Sequence, residues 1–375
     1  RIAARGPMEE APGEAEAAPR LDAAGAIALP GLVDSHTHAV FGATREHEFE
    51  RRLEGATYRE IAAEGGGILY SVRDFRKRSE EELAALTRSR LAAFSRHGVT
   101  TVEVKSGYGL STEDELKALR VVRRLSGDAS LPRLVPTFLG AHAVPPEFAG
   151  DRAGYVRLVE EEMLPAVAGE RLAEFCDVFC DEGAFTVAES ERILGRAAEL
   201  GFGLKIHAEE FEPLGGAALA ARLGAVSADH LVAIEADGIA ALAESGTVAT
   251  LLPGTSFFLR LGRHAPGRAL ADAGATLALA TDFNPGSSMS QNLLLLIAMA
   301  CCNLGLTIAE AVRAATAGGA RALGRDDRGT LAVGALGDVA LFRAPDVTHL
   351  AYHYGINHTF ATVRGGRIVW SREGS

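Results

Sequence analysis

Short apolar runs recur through the middle of the chain, at Gly31–Asp34, Thr100–Val104, Leu134–Leu139, Phe175–Phe179, Leu204–Ile206, Ala225–Ala228, Val248–Leu252 and Thr276–Ala280. Amphipathic segments lie between most of them, among them Glu80–Ser95, Asp114–Leu125, Ala188–Leu200 and Asp237–Ala243. Several stop at a glycine, as a helix C-terminus does. Strands alternating with helices in this way predict an α/β protein built as a (β/α)8 TIM-like barrel. The competing open, doubly wound sheet normally carries a glycine-rich dinucleotide turn after an early strand, and the sequence has none.

The two ends read differently. A weak strand near Ala26–Leu29 is matched at the far end by β patterns at Thr330–Val333, Asp338–Phe342 and Ala361–Trp370, broken by Gly-Ala-Leu-Gly and Arg-Gly-Gly-Arg turns. These predict one small β-sandwich domain from residues 1–29 plus 325–375, with the barrel over residues 30–324. The chain opens at Arg1 rather than Met, so a further strand upstream is expected. Polar residues able to do chemistry sit at the end of nearly every barrel run, the face on which active sites of this fold collect. The connection from Phe41 to about Glu80 is long for a compact domain and reads as a wall or lid over that face.

Composition narrows the function classes. A net charge of -11 argues against nucleic acid as a partner, because phosphate binding needs a basic surface. It does not exclude a small anionic substrate, which one buried Arg can hold. Aromatics make up 6% of the chain and glycines number 42, which suits helices packed on a sheet with tight turns better than an aromatic-rich sandwich. Cys176, Cys180, Cys301 and Cys302 fit no disulfide or zinc-ribbon spacing and read as thiols in a reducing compartment. The stretch Leu293–Cys302 is too short to span a membrane and reads as a buried helix; no charged-then-apolar leader precedes the fold. A cytoplasmic protein without a membrane partner is expected.

The chemistry begins at Asp34-Ser-His36-Thr-His38, after the first apolar run. Residues two apart on a strand project to one side, so His36 and His38 both face the barrel axis. Lys205-Ile-His207 ends the fifth run, Ala228-Asp-His230 the sixth, and Ala280-Thr-Asp282 the eighth. A single buried His is usually a satisfied core residue. Their joint occurrence at strand ends instead predicts one transition metal, divalent or trivalent and either zinc or iron, held by His36, His38, His207 and Asp282.

The pattern of His-x-His, strand-five His, strand-six His and strand-eight Asp resembles the amidohydrolase superfamily. The resemblance implies that His230 polarises a substrate carbonyl, with direct ligation as its alternative. Members with two metals often bridge them by a carbamylated Lys on strand four. Here that strand offers Cys180, Asp181 and Glu182, and Lys105 sits on strand two, so a mononuclear site is expected.

Finer motifs are Leu32–Gly42 (Leu-Val-Asp-Ser-His-Thr-His-Ala-Val-Phe-Gly), Glu103–Gly109 (Glu-Val-Lys-Ser-Gly-Tyr-Gly), His207-Ala-Glu-Glu210 and Thr281–Ser287 (Thr-Asp-Phe-Asn-Pro-Gly-Ser). Together they resemble the imidazolonepropionases, which hydrolyse 4-imidazolone-5-propanoate to N-formimidoyl-L-glutamate in histidine degradation. The resemblance implies substrate contacts from Arg45, Tyr58, Tyr108 and His142, with Arg45 suited to the propionate, and it favours a homodimer. A turn after His207 would bring Glu210 over the metal to bind a ring N–H or move a proton, while Glu209 and Glu212 read as solvated loop acids. Asn284, with the backbone of Gly286 and Ser287, is expected to hold the polar end of the substrate. The mechanism expected is water attack on the ring carbonyl with Asp282 or Glu210 as proton acceptor and His230 beside the oxyanion. The rival reading is a deaminase of a cyclic amidine or nucleobase, which shares the ligand pattern but has no obvious use for Arg45 with Tyr108. A non-catalytic binding protein on the same fold is the reading of another class; metal content and turnover separate it.

Overall fold

The computed structural model describes residues 1–7, 21–23, 25–57, 60–61 and 64–372. The barrel is entered through β1 (Ile27–Pro30) and, one glycine later, β2 (Leu32–Asp34). A Cβ on Gly31 would collide with Thr100, so this close crossing between two sheets needs glycine. There follow β3 (Val99–Lys105), β4 (Arg133–Ala141), β5 (Phe175–Cys180), β6 (Gly203–Ala208), β7 (Ser227–His230), β8 (Val248–Leu251) and β9 (Leu277–Leu279). Strands β2 to β9 form one parallel sheet in chain order, with helices between most neighbours.

The sheet closes on itself by contacts just past the ends of β2 and β9. Thr37 and Phe283 form a parallel bridge, Asp282 N donates to His36 O (3.0 Å), and His38 N donates to Phe283 O (2.9 Å). The Asp34 carboxylate completes the seam by accepting from Thr281 N (3.0 Å) and Oγ1 (2.6 Å). Two metal-candidate histidines and the candidate aspartate are therefore part of the closure itself.

Parallel strands covered on both faces are buried throughout, as β3 shows along all seven residues. This makes the apolar runs legible, and it forces any charge within them to find a partner inside the barrel. The helices match expectation where their caps are written in the sequence. Glu80–Ser95 starts at a capping box of Ser79 with Glu82, and Val187–Glu199 at one of Thr186 with Glu189. The sixth barrel strand lies two residues later than expected. Gly224 ends the preceding helix in a left-handed conformation, Ala225 is still tied to it, and the strand extends through the polar Ser227-Ala-Asp-His230.

The terminal β elements form one antiparallel sheet of β1, β10 (Val339–Phe342), β11 (Thr359–Arg364) and β12 (Arg367–Ser371), in that order. Among the described residues there is no second layer to make it a sandwich; Phe342 and Ala340 instead pack against the barrel core. Thr330–Val333 is not a strand. In the long connection after β2 the described residues include the helices Glu46–Leu53 and Ile68–Lys77, tied together by Glu48 accepting from Gly67 N at 2.8 Å. Among the described residues no helix is long and apolar enough to cross a membrane, and Leu293–Asn303 is a largely buried helix.

Candidate metal centre and active site

Four strand ends deliver the polar cluster. His36 and His38 follow β2, His207 lies on β6, His230 ends β7, and Asp282 follows β9; all are buried. Carboxylates beneath them set the imidazoles. Asp229 accepts from His36 Nδ1 (2.6 Å), and Asp177 faces His207 Nδ1 at 3.0 Å. With Nδ1–H donating to a carboxylate, the Nε2 of His36 and of His207 keeps its lone pair and turns it inward.

These lone pairs converge. His38 Nε2 lies 3.3 Å from the Nε2 of His36 and 3.3 Å from that of His207, and Asp282 Oδ1 lies 3.5 Å from the Nε2 atoms of His36 and His38. Donors held about 2.0–2.1 Å from one tetrahedral ion stand about 3.3–3.4 Å apart. A ring of converging lone pairs and a carboxylate is an electrostatic conflict that a cation resolves, so the donor set fits a transition metal. His36, His230 and Asp282 form a second converging triad, which leaves both roles of His230 open geometrically.

Backbone strain aims the reactive groups. Glu209, His230 and Asp282 all adopt positive φ, at 55°, 79° and 52°. The left-handed Glu209 reverses the chain after His207 and swings Glu210 into the pocket, 3.7 Å from His230 Nε2, as the expected turn requires. Burial pushes Glu210 well above the usual carboxylate range, and Asp282 and Asp181 push it further. Burial likewise takes Asp282 up to about 6 against a hydrogen bond from Thr255 Oγ1 at 2.6 Å. Glu209 is not the solvated acid expected: it is buried and accepts from Gly215 N at 3.0 Å. Glu212 is exposed, as expected.

The pocket above the cluster is lined by Arg45, Tyr108, His142, Glu210 and His230 together with His38, His207 and Asp282. Arg45 is only 4% exposed, and its Nε and Nη1 have no hydrogen-bond acceptor; the nearest charge is Glu48, 3.7 Å from Nε. Its guanidinium lies across Gly286, filling the space that a side chain there would take. His142 donates from Nδ1 to Gly107 O (2.8 Å) and stacks on His38. Burial, then His207, takes it down to about 3, so it is neutral with its Nε2 lone pair available.

The Asn284–Ser287 turn departs from expectation. Gly286 N and Ser287 N both donate to Asn284 Oδ1 at 2.8 Å, and Asn284 Nδ2 donates to Asp282 O and Ser287 Oγ, each at 2.7 Å. In this structure these donors bond within the turn, which braces Asp282 and seats Arg45, while Asn284 and Ser287 still line the pocket. Tyr58 lies outside the described residues.

Beneath the site lies a group of residues that the sequence reading left without a role. Lys105 Nζ reaches Asp177 (2.6 Å) and Glu103 (2.8 Å); Lys205 Nζ reaches Glu103 (3.1 Å) and the carbonyls of Ser35 and Ala322. Burial pulls the Lys105 ammonium down, but Asp177, Glu103 and Asp229 outweigh it and hold it above its ordinary value. The signal was present: Glu103, Lys105, Asp177, Lys205 and Asp229 interrupt strands that are otherwise apolar and buried on both faces.

Comparison with known proteins agrees with this architecture. The model of the Amidohydrolase family matches residues 54–370. The imidazolonepropionase of Symbiobacterium thermophilum is 50% identical over 374 residues, 98% of this chain and 88% of the relative. That of Geobacillus kaustophilus is 48% identical over 350 residues, 93% of this chain and 82% of its own. Among solved structures, 5-methylcytosine deaminase from Klebsiella pneumoniae liganded with 5-fluorocytosine superposes with a TM-score of 0.76 at 19% identity, covering 100% of this chain and 92% of its own. Atrazine chlorohydrolase from Arthrobacter aurescens TC1, complexed with zinc, gives 0.67 at 19% identity, covering 94% and 86%. The structural likenesses carry the barrel alone, whereas near-half identity over almost the whole length carries more: the chain belongs to the amidohydrolase family and, within it, to the imidazolonepropionases.

Proposed function

We propose that this chain hydrolyses 4-imidazolone-5-propanoate, opening the ring at its amide C–N bond to give N-formimidoyl-L-glutamate. The observation that carries the reading is Arg45, a buried guanidinium with unused donors on the wall of a pocket floored by the His/Asp cluster. A planar fork of donors pairs with a carboxylate and has no comparable partner on a neutral nucleobase. The substrate is thus a small anion, held by its tail at Arg45 with its ring over the cluster.

One transition metal, zinc or iron, would be held by His36, His38, His207 and Asp282. When bound, such an ion supplies Lewis acidity, polarising a carbonyl and bringing the pKa of water near it toward about 7. The chain's own residues do the rest. Neutral His142 accepts a ring N–H at Nε2, and the Tyr108 hydroxyl reaches the substrate as a hydrogen-bond partner. His230 faces the carbonyl oxygen on which negative charge develops as water adds. Glu210 moves the proton: Asp282 has Oδ2 committed to Thr255 and Ser287 and Oδ1 turned to the histidines, whereas Glu210 faces the pocket. It takes one proton from the attacking water and returns it to the ring nitrogen as the C–N bond breaks, leaving a formimidoyl nitrogen and a carboxylic acid whose remaining water-derived proton is lost to solvent as it ionises. Four free cysteines, two of them buried on β5, favour a reducing, cytoplasmic setting.

The test is loss of the ultraviolet absorbance of freshly generated imidazolonepropionate, run beside ammonia release from cytosine, guanine and adenine. Hydrolysis of the first with no release from the others is expected. Release from a nucleobase, with the imidazolonepropionate left intact, would transfer the site to the deaminase reading.

A further inference from the structure

The Glu103–Gly109 motif runs out of the barrel into a loop, Ser106–Leu110, that carries Tyr108 into the pocket. Its backbone is shaped by close contacts. Gly107 has φ of 106° and Leu110 of 54°. A Cβ on Gly107 would come 2.9 Å from His142 Nδ1, and one on Gly109 2.5 Å from the backbone N of Glu115.

What fixes this path is a buried carboxylate. Glu115, fully buried in the first turn of the helix Thr112–Leu125, accepts from the backbone N–H of Gly107 (3.0 Å), Gly109 (2.8 Å) and Leu110 (2.8 Å). The carbonyls are held from the other side. Arg76 donates from Nε to Gly109 O (2.7 Å) and from Nη2 to Leu110 O (3.1 Å), and His142 donates to Gly107 O. Arg76 lies on Ile68–Lys77, the second helix of the pocket wall. The helix that bears Glu115 is already capped by Ser111, which accepts from Asp114 N, so Glu115 is not needed to start it. Burying a carboxylate is costly unless its bonds are made, and here they are made to the peptide groups around one pocket tyrosine.

We propose that Glu115, assisted by Arg76, is a positioning residue for the reaction: it locks the Ser106–Leu110 loop so that Tyr108 and His142 meet the substrate in a fixed geometry. The inference rests on the reading of Tyr108 and His142 as substrate-facing groups. Glu115→Gln keeps the shape of the side chain but turns an N–H2 toward backbone donors. Misplacing a contact by about 1 Å can cost on the order of 100-fold in rate. We expect kcat/KM for imidazolonepropionate to fall about tenfold or more in E115Q, with metal content unchanged and amide exchange at Gly107, Gly109 and Leu110 faster by about tenfold.

A purely structural carboxylate would not interact energetically with Tyr108. In a Tyr108→Phe background, E115Q should therefore lose much less than in the wild type, because the group it positions is already impaired. Fully multiplicative losses, or unchanged exchange in the loop, would overturn the proposal. Should E115Q fail to fold, the partly exposed Arg76→Met must show the same exchange signature and the same non-additivity with Y108F. Absence of turnover in the wild type would refute the substrate reading instead, and loop exchange in the variants would still decide whether Glu115 and Arg76 hold the loop.

Discussion

Arg45 and Gly286 form a pair in which one side chain occupies the volume that the other lacks, although the two lie far apart in the sequence. If Arg45 clamps the propionate, Arg45→Gln removes a charge-assisted bond of roughly 1.5–3 kcal/mol. At about 1.4 kcal/mol per factor of ten, kcat/KM should fall about ten- to a hundredfold while elemental analysis finds the metal unchanged. An amide-tailed analogue should be poor with the wild type, and the Gln variant should discriminate far less between the two tails; equal losses on both would point to the wall helices rather than to the charge. Gly286→Ala tests the same contact from the other side. Gly286 does not have positive φ, so Ala is tolerated by the backbone and its methyl must displace the guanidinium. The variant should reproduce the kinetic defect of R45Q, and the two together should be little worse than either. The sequence yielded Arg45 through family resemblance and yielded Glu210 through the need for a turn after His207. It did not reveal the Asn284 turn's self-satisfied bonds, because the choice between a ligand and a neighbouring N–H is made by backbone geometry that residue identity does not encode.

At the scale of elements, the barrel strands were readable because burial on both faces writes them as apolar runs, and the helices because serine or threonine stands three residues before glutamate at their starts. The same burial hid the charged interior. A lysine inside a strand reads as an exception, and nothing in one sequence says which carboxylate on another strand meets it. β3, β5, β6 and β7 contribute Lys105, Asp177, Lys205 and Asp229 to one dry cluster, so each strand's charge is balanced only when all have assembled. Lys105→Met leaves Glu103 and Asp177 without their nearest cation. Breaking one partner of a buried pair costs about 3–5 kcal/mol, so urea unfolding should show a loss of that order. A change below about 1 kcal/mol would mean that Lys205 and water take over the neutralisation.

For the whole molecule, the metal cluster and the barrel seam are one structure. His36, His38 and Asp282 lie on the two segments whose mutual hydrogen bonds close β2 onto β9, and His207 adds β6 from the opposite wall. An ion held there ties three distant parts of the chain together and binds the folded state alone, which contributes RT ln(1 + [L]/Kd) to stability, about 4 kcal/mol at a thousandfold excess over Kd. Chelation should therefore lower Tm by several degrees and abolish turnover, with both recovering on adding back zinc or ferrous iron. His207→Ala should show the lowered Tm without recovery, since it removes a donor and leaves the Asp177 carboxylate buried without its imidazole. A single ion per chain is the expectation at this site. The second triad, His36, His230 and Asp282, shares two of its three members with the proposed ligand set, and β5, where a bridging lysine would stand, ends in Cys180 followed by Asp181, whose carboxylate is occupied by the N–H groups of Phe211 and Glu212. Elemental analysis of the active protein should find about one ion per chain, and two would mean that His230 and Asp282 belong to a second centre, with proton transfer by Glu210 to be reassigned.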